Sequence, residues 1–177
     1  MATELDVLRI VSDRLTTNGL PFMLTGSFAL AYYATPRMTR DLDLVVALTE
    51  ADIDSVVVAF QPDFDADSVR DAIQSGKLFN LMHLESGIKV DLIVRKASTY
   101  RLLEFGRRQE VDLAGVRTWI VSREDLILSK LVWALQSGSE LQIRDVRLLL
   151  AEGVDEDYIR FWAPRLGVDD SLRPLLK

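Results

Sequence analysis

The chain contains no cysteine, and this absence excludes disulfides, thiolate metal sites and cysteine nucleophiles. Its single histidine, His83, argues against a histidine-ligated zinc site. No run of about 18 apolar residues is present. The opening segment "MATELDVLRIVSDRL" places acidic residues inside an amphipathic pattern, which argues against a secretory signal. We therefore expect a cytoplasmic protein without a membrane partner.

Size and charge narrow the class of protein further. A chain of 177 residues, 49% of them hydrophobic, is long enough to bury the core of one ordinary domain. The net charge of −6 argues against a protein that coats nucleic acid through non-specific phosphate contacts. Residues 95–117 nevertheless hold six basic and three acidic side chains. This local excess indicates either a solvated surface or the rim of a site for an anionic substrate.

The order of predicted elements indicates an α+β fold with a mixed sheet. Strands and two hairpins, "KLFNLMHLESGIKVDLIVR" and "QEVDLAGVRTWIV", are predicted between residues 20 and 121, interspersed with helices. From Ser122 onward the pattern is helical, and Ser122 followed by Asp125 is typical of a helix start. We expect an α/β core over residues 1–121 and a C-terminal helical subdomain over residues 122–177.

Two aspartates on one predicted strand, "RDLDLVVAL", are the first candidate site. Side chains alternate along a strand, so Asp41 and Asp43 project to the same side. Two adjacent carboxylates repel each other and raise each other's pKa unless a cation neutralises them. Oxygen ligands favour Mg²⁺ or Mn²⁺ over zinc. Taken alone, such a motif is more often a solvated strand end.

A third carboxylate, Asp91, lies in another apolar strand pattern, "GIKVDLIV". If that strand neighbours the first, three carboxylates converge, enough to hold two metal ions about 3.5–4 Å apart. Such an arrangement suits in-line attack at phosphorus. Considered alone, Asp91 is equally well explained as an acid on an edge strand.

A glycine-serine turn precedes these carboxylates. Gly26 and Ser27 join a predicted strand to a predicted helix, whose N-terminus offers free N–H groups and a positive dipole end to phosphate oxygens. Glycine permits close backbone approach, and serine adds a hydroxyl donor. A nucleoside triphosphate (NTP) would then lie with its phosphates between this turn and the metal ions. In isolation the turn is more often an ordinary helix cap.

The combined motif resembles that of the DNA polymerase β-like nucleotidyltransferase superfamily. The matching pattern is Leu24-Thr25-Gly26-Ser27, thirteen intervening residues, Asp41-Leu42-Asp43-Leu44, and then Asp91, with Thr25 as a minor departure. The resemblance implies a palm core with flanking helices and a helical cap. It also implies that Asp41 and Asp43 bind both metals, and that Asp91 binds the catalytic metal and helps deprotonate the acceptor. Gly26 and Ser27 would hold the triphosphate.

The segments "RMTRDLD", "SREDLILSKL" and "RDVRLLL" resemble the AbiEii-type branch, whose members are often toxins of toxin–antitoxin pairs. This looser resemblance spans about residues 20 to 150 and places Lys130 and Asp145 near the nucleotide. Independently, Lys130 interrupts an apolar run and Asp145 shares a helical face with leucines, so both point inward or to a cleft. A buried ion pair and a phosphate contact by Lys130 remain equally open. Arg37 and Arg40 would pair with the carboxylates or touch the phosphates.

These patterns predict Mg²⁺-dependent transfer of a nucleoside monophosphate from an NTP to a hydroxyl, with release of pyrophosphate. A tRNA 3′ end, a protein hydroxyl and a small molecule all suit the acceptor role, and an antitoxin is a possible protein partner. A non-catalytic module that binds a nucleotide or a partner is the main alternative, and a metal-dependent phosphodiesterase is a weaker one. We expect His83 on a hairpin surface, and Trp119, Trp133 and Trp162 in packing rather than base stacking.

Overall fold

The computed structural model of the chain describes residues 2–35, 41–61 and 66–176. These residues form six strands, β1 to β6 in chain order: Phe22–Thr25, Leu42–Val46, Leu78–Met82, Lys89–Val94, Gln109–Leu113 and Val116–Ile120. They also form nine α-helices, α1 to α9 in chain order: Glu4–Thr17, Gly26–Tyr33, Ile53–Phe60, Ala66–Ser75, Thr99–Gly106, Arg123–Ser137, Glu140–Leu150, Glu156–Trp162 and Asp169–Leu172.

The six strands form one mixed sheet in the order β3-β4-β2-β1-β6-β5. The hairpins β3–β4 and β5–β6 are antiparallel, as is the central pair β1–β2. Two parallel pairings, β2 with β4 and β1 with β6, join the hairpins to the central pair. The predicted α+β class and both predicted hairpins are confirmed.

Alternation along the central strands gives the sheet one apolar face and one chemically active face. In β2 the side chains of Leu42, Leu44 and Val46 are fully buried, whereas Asp43 is only half-buried. Strand β4 repeats the pattern, with Val90, Leu92 and Val94 buried and Asp91 half-buried. Burying three branched side chains per strand stabilises the fold by several kcal/mol, at about 1.5–3 kcal/mol each. That stabilisation allows each strand to carry a carboxylate on its other face.

All of the helices except α5 fall into two groups. Helices α1, α3 and α4 contact one another in turn, and α6 contacts α2, α7, α8 and α9. One hydrophobic core contains residues of both the sheet and the C-terminal helices, for example Met23, Leu126, Val146 and Ile159. The division at residue 121 therefore stays a prediction. None of the helices within the described residues is both long and apolar enough to cross a membrane.

A buried carboxylate fixes where α6 begins. The Ser122 hydroxyl accepts a hydrogen bond from the backbone N–H of Asp125, as predicted for a helix start. The fully buried Asp125 carboxylate in turn accepts hydrogen bonds from the hydroxyls of Ser122, Tyr100 and Tyr158 and from Arg107 Nε. A buried charge is tolerated when it is hydrogen-bonded in this way. Asp125 thereby ties α5, α6 and α8 together and positions the α6 face described next.

Candidate active site

Asp43 and Asp91 lie side by side on neighbouring strands. Strands β2 and β4 pair in parallel, and the two aspartates are direct partners in the register. Partner residues on adjacent strands are about 4.8 Å apart in the backbone, so both carboxylates stand together on one face. The condition on which the convergence of Asp43 and Asp91 depended, that their strands are neighbours, is met. Asp41 immediately precedes β2 and is exposed.

Burial and the neighbouring acids both raise the pKa of Asp43. Burial is the largest cause that raises it, to about 6, followed by the negative charges of Asp91 and Asp41. Lys130 and Lys89 act in the opposite direction and do not cancel the effect. The face between β2 and β4 thus favours a bound cation.

Gly26 begins α2 against the Asp43 carboxylate. Its φ of +66° lies in the left-handed region that favours glycine. A Cβ at this position would overlap the carboxylate and would lie 2.8 Å from the Asp43 Cγ. Thr25, directly before it, is the register partner of Asp43 across β1 and β2. The glycine is therefore required for the first turn of α2 to approach the carboxylate, and Ser27 follows it with 8% exposure.

Lys89 was not assigned a role from the sequence, yet it contacts Asp91. Both residues are on the same face of β4, two positions apart. Lys89 Nζ donates a hydrogen bond to Asp91 Oδ2 at 3.1 Å and lies 2.9 Å from Oδ1. The hydrogen bond to Asp91 is the main cause that raises the pKa of Lys89. In this structure the ammonium group of Lys89 acts as the counter-ion of Asp91.

The carboxylate oxygens of this site are chemically suited to a hard divalent cation, although their arrangement is not a complete metal cluster. Among residues 2–35, 41–61 and 66–176, no group of three acidic, histidine or cysteine side chains is arranged as a metal cluster. The predicted three-carboxylate convergence therefore stays a prediction for Asp41. The buried Asp91 Oδ1 lies 2.9 Å from the Lys89 ammonium group and accepts no further hydrogen bond among the described residues, and burial together with the charges of Asp91 and Asp41 raises the pKa of Asp43. Both observations are typical of oxygen ligands that Mg²⁺ or Mn²⁺ would stabilise.

Lys130 and Asp145 form the buried ion pair that was one of the two alternatives. Lys130 Nζ lies 2.7 Å from Asp145 Oδ2 and 3.1 Å from Gln142 Oε1, and the side chains of Lys130 and Asp145 are 2% and 1% exposed. Lys130 also lines the cleft and lowers the pKa of Asp43. The pair with Asp145 leaves the lysine within the electrostatic reach of the carboxylates. Contact between Lys130 and a phosphate stays a prediction.

A cleft of about 690 Å³ gathers these groups. Asp43, Asp91 and Gly26 line it together with one face of α6. Basic residues from the start of β3, the end of β4 and α5 complete the lining: Lys77, Arg95, Lys96 and Arg101. Part of the predicted basic segment thus belongs to the cleft, which supports its interpretation as a rim for an anion. Arg107, in contrast, pairs with Asp125.

The remaining predicted residues are two arginines, His83 and the three tryptophans. Arg37 and Arg40 lie outside the described residues. His83 is half-buried in the hairpin region, where its Nδ1 is 2.8 Å from Ser86 Oγ. Trp119 and Trp162 pack against the hydrophobic core as predicted. For Trp133 the packing prediction is wrong, because its side chain is 49% exposed and lines the cleft.

Comparison with known proteins identifies a matching family model and a shared fold. A family model described as "Nucleotidyl transferase AbiEii toxin, Type IV TA system" matches residues 9–166. A sequence comparison with curated proteins finds no match. The solution structure of the antibiotic-resistance factor ANT(2'')-Ia aligns with a TM-score of 0.57 at 12% identity, covering 97% of this chain and 91% of that one.

Two crystal structures share the same fold. One is an antigenic nucleotidyltransferase-like protein from Paracoccidioides brasiliensis, with a TM-score of 0.57, 17% identity and coverage of 97% of this chain and 91% of that one. The other is ANT(2'')-Ia in complex with adenylyl-2''-tobramycin, with a TM-score of 0.56, 15% identity and coverage of 91% and 94%. At these identities the likeness shows the fold alone.

Proposed function

The chain belongs to the nucleotidyl transferase AbiEii toxin family, and we propose that it transfers a nucleoside monophosphate from an NTP to an acceptor hydroxyl with the help of a divalent metal ion. Pyrophosphate is the second product. One observation carries the proposal: Asp43 and Asp91 are register partners on β2 and β4, beside the first turn of α2, in a cleft that Lys130 also lines.

The proposed reaction exchanges one bond to phosphorus for another. The acceptor oxygen forms a bond to the α-phosphorus, the bond from that phosphorus to the pyrophosphate oxygen breaks, and the hydroxyl proton passes to the Asp91 carboxylate. Gly26 and Ser27 bind the triphosphate through the backbone N–H groups at the start of α2. Lys130 and Arg40 balance the negative charge of the triphosphate. Holding both reactants in one cleft supplies the orientation that a bimolecular reaction in water lacks.

The carboxylates Asp41, Asp43 and Asp91 are the groups that would hold Mg²⁺ or Mn²⁺. When bound, the ion supplies neutralisation of the charge on the phosphate oxygens. Asp43 is the central ligand in this proposal because it lies between Asp91 on β4 and Asp41 at the start of its own strand. Asp91 must release the Lys89 ammonium group before it binds a cation or takes a proton.

The acceptor and the protein partner are open within this proposal. In ANT(2'')-Ia, the crystallised complex contains adenylyl-2''-tobramycin, an adenylylated small molecule. A tRNA 3′ end and a protein hydroxyl suit the same chemistry. The family description as the toxin of a type IV toxin–antitoxin system supports an antitoxin as partner.

The test is transfer of label from each α-³²P NTP, in the presence of Mg²⁺, to total tRNA, to cellular protein and to hydroxyl-bearing small molecules. We expect labelled acceptor and pyrophosphate with the wild type, and a loss of roughly 100- to 1,000-fold with Asp43→Ala. Asp13→Ala, which removes an exposed acid on α1 outside the cleft, is the matched control. Equal labelling by Asp43→Ala and the wild type would refute the proposal. Metal-dependent NTP binding without turnover would favour the non-catalytic module instead.

A further inference from the structure

Trp133 is placed unlike the two other tryptophans. Trp162 packs its ring against Tyr100 with a centroid distance of 5.1 Å, and Trp119 lies against the hydrophobic core. Trp133 contacts no other aromatic ring among the described residues, and 49% of its side chain is exposed inside the cleft. A large aromatic surface left open in a concave site is a surface for a flat ligand.

The spacing along α6 relates this surface to the charged part of the cleft. Lys130, Trp133 and Gln136 are three residues apart in turn, and all three line the cleft. At about 1.5 Å per residue, Trp133 lies about 4.5 Å and Gln136 about 9 Å beyond Lys130 along the helix axis. A nucleoside bridges a span of this size. One helix face thus runs from the buried lysine to an aromatic ring and then to an amide.

The lining of the cleft combines two chemistries. The carboxylates of Asp43 and Asp91 and the lysine Lys130 favour metal and phosphate. The half-exposed side chains of Leu78 and Trp133 line the same cleft and are apolar. Gln136 offers both a hydrogen-bond donor and an acceptor. An NTP combines the matching features: a triphosphate, a flat ring and a hydrogen-bonding edge.

We propose that Trp133 stacks on the base of the NTP and that Gln136 contacts its hydrogen-bonding edge, so that this part of the cleft is a nucleobase subsite. The inference rests on the proposed function, because it assumes that the triphosphate lies at Gly26 and Lys130. Every base has an aromatic face, so stacking on Trp133 contributes affinity for all four nucleotides. Discrimination among the bases falls to Gln136.

Calorimetric titration with each of the four NTPs and with inorganic tripolyphosphate, in the presence of Mg²⁺, separates the base contact from the phosphate contact. We expect Trp133→Leu to weaken NTP binding roughly 5- to 100-fold, while the affinity for tripolyphosphate stays within about twofold. Trp133→Phe retains most of the affinity because it keeps an aromatic face. Gln136→Ala changes the ranking of the four NTPs. Leu135→Ala, an exposed apolar residue of the same helix outside the cleft, is the matched control.

The outcomes distinguish this inference from the proposed function. If the wild type binds neither NTP nor tripolyphosphate, the proposed function fails. If the wild type binds both and Trp133→Leu binds NTP equally well, the function stands and the nucleobase subsite is refuted. Weaker acceptor binding with unchanged NTP binding in Trp133→Leu also overturns the inference, because it assigns the ring to the acceptor. Quenching of tryptophan fluorescence by NTP in the wild type and not in Trp133→Phe supports the subsite independently of turnover.

Discussion

At the scale of single residues, Asp43 carries a charge that its surroundings disfavour in the absence of a metal ion. Its folded-state pKa of about 6 lies above the ordinary value of 3.8. A raised carboxylate pKa means that the folded state binds the proton more tightly than the unfolded state. The folded protein therefore loses stability as the pH rises from about 4 to about 6, and the cost remains constant above that range.

Asp43→Asn is accordingly expected to stabilise the metal-free protein while abolishing transfer. At pH 8 with EDTA, the free energy of unfolding should rise by roughly 1–3 kcal/mol, since one pKa unit corresponds to about 1.4 kcal/mol. At pH 4 most of the gain should disappear, because the aspartate is then protonated in the folded state and about half ionised in the unfolded state. Urea unfolding at both pH values measures the difference, with Asp13→Asn as control. A gain of equal size at pH 4 would contradict the electrostatic origin.

Lys89 is the second residue whose charge has a measurable consequence. Because its ammonium group lies 2.9 Å from Asp91 Oδ1, it competes with any cation that Asp91 would bind. We expect Lys89→Met to raise the affinity for Mn²⁺ roughly 3- to 10-fold, a modest effect since Lys89 is partly exposed. Titration of free Mn²⁺ by electron paramagnetic resonance measures this without any turnover.

Lys96→Met is the control for that experiment, because it removes the same charge from another lysine that lines the cleft. Equal affinities in the two variants would show only a general effect of charge in the cleft. Weaker Mn²⁺ binding by Lys89→Met would show that the lysine orients Asp91 rather than competing for it.

Individual residues also differ in how far the sequence alone could predict their positions. The alternation of strand side chains was enough to place Asp43 and Asp91 on active faces, because that period depends on local geometry alone. The Lys89–Asp91 contact depends on how two side chains are oriented in the folded cleft. Trp133 was misread because aromatic residues in helical patterns usually pack inward. Its position one turn after Lys130 was the signal that indicated the cleft.

At the scale of elements, α6 and α7 are joined by the Lys130–Asp145 pair. Both side chains are almost fully buried, and removing one partner of such a pair leaves an uncompensated charge that costs roughly 3–5 kcal/mol. Replacing both partners by apolar residues often restores stability. The pair can therefore be tested separately for its structural and its functional role.

We expect Lys130→Met to be destabilising and inactive, and Lys130→Met combined with Asp145→Leu to recover most of the stability without recovering activity. Thermal unfolding and NTP titration of the single and double variants measure the two properties. Recovery of both stability and NTP affinity in the double variant would assign Lys130 a structural role only. Asp145→Leu alone, which keeps the lysine, serves as the reference for phosphate binding.

The pairing of elements was predictable only in part. Both hairpins were indicated by their turn residues, and their strands pair as expected. The parallel pairings β2–β4 and β1–β6 join segments far apart in the chain, and periodicity within a segment does not encode which distant segment becomes its neighbour. The convergence of Asp43 with Asp91 was therefore conditional until the sheet order was known.

At the scale of the whole molecule, one hydrophobic core includes residues from the sheet and from α6, α7 and α8. A shared core predicts that residues 1–121 and 122–177 unfold together in a single cooperative transition. Variants that retain only Trp119, in β6, or only Trp162, in α8, report on the two parts separately by fluorescence. We expect coincident midpoints in urea, and two distinct midpoints would show that the parts are separate folding units.

The order of the strands in the sheet determines when the site can be completed during protein synthesis. Strand β2, which carries Asp43, can pair with β4 only after β4 has been synthesised. The α6 and α7 residues of the cleft are synthesised later still. Asp145 comes roughly 50 residues after Asp91, an interval of several seconds at roughly 5–20 residues per second. A growing chain therefore exposes its carboxylates on the ribosome well before the lysine and tryptophan that complete the cleft. We therefore expect the cleft to be complete, and the proposed transfer to begin, only after α6 and α7 have emerged from the ribosome.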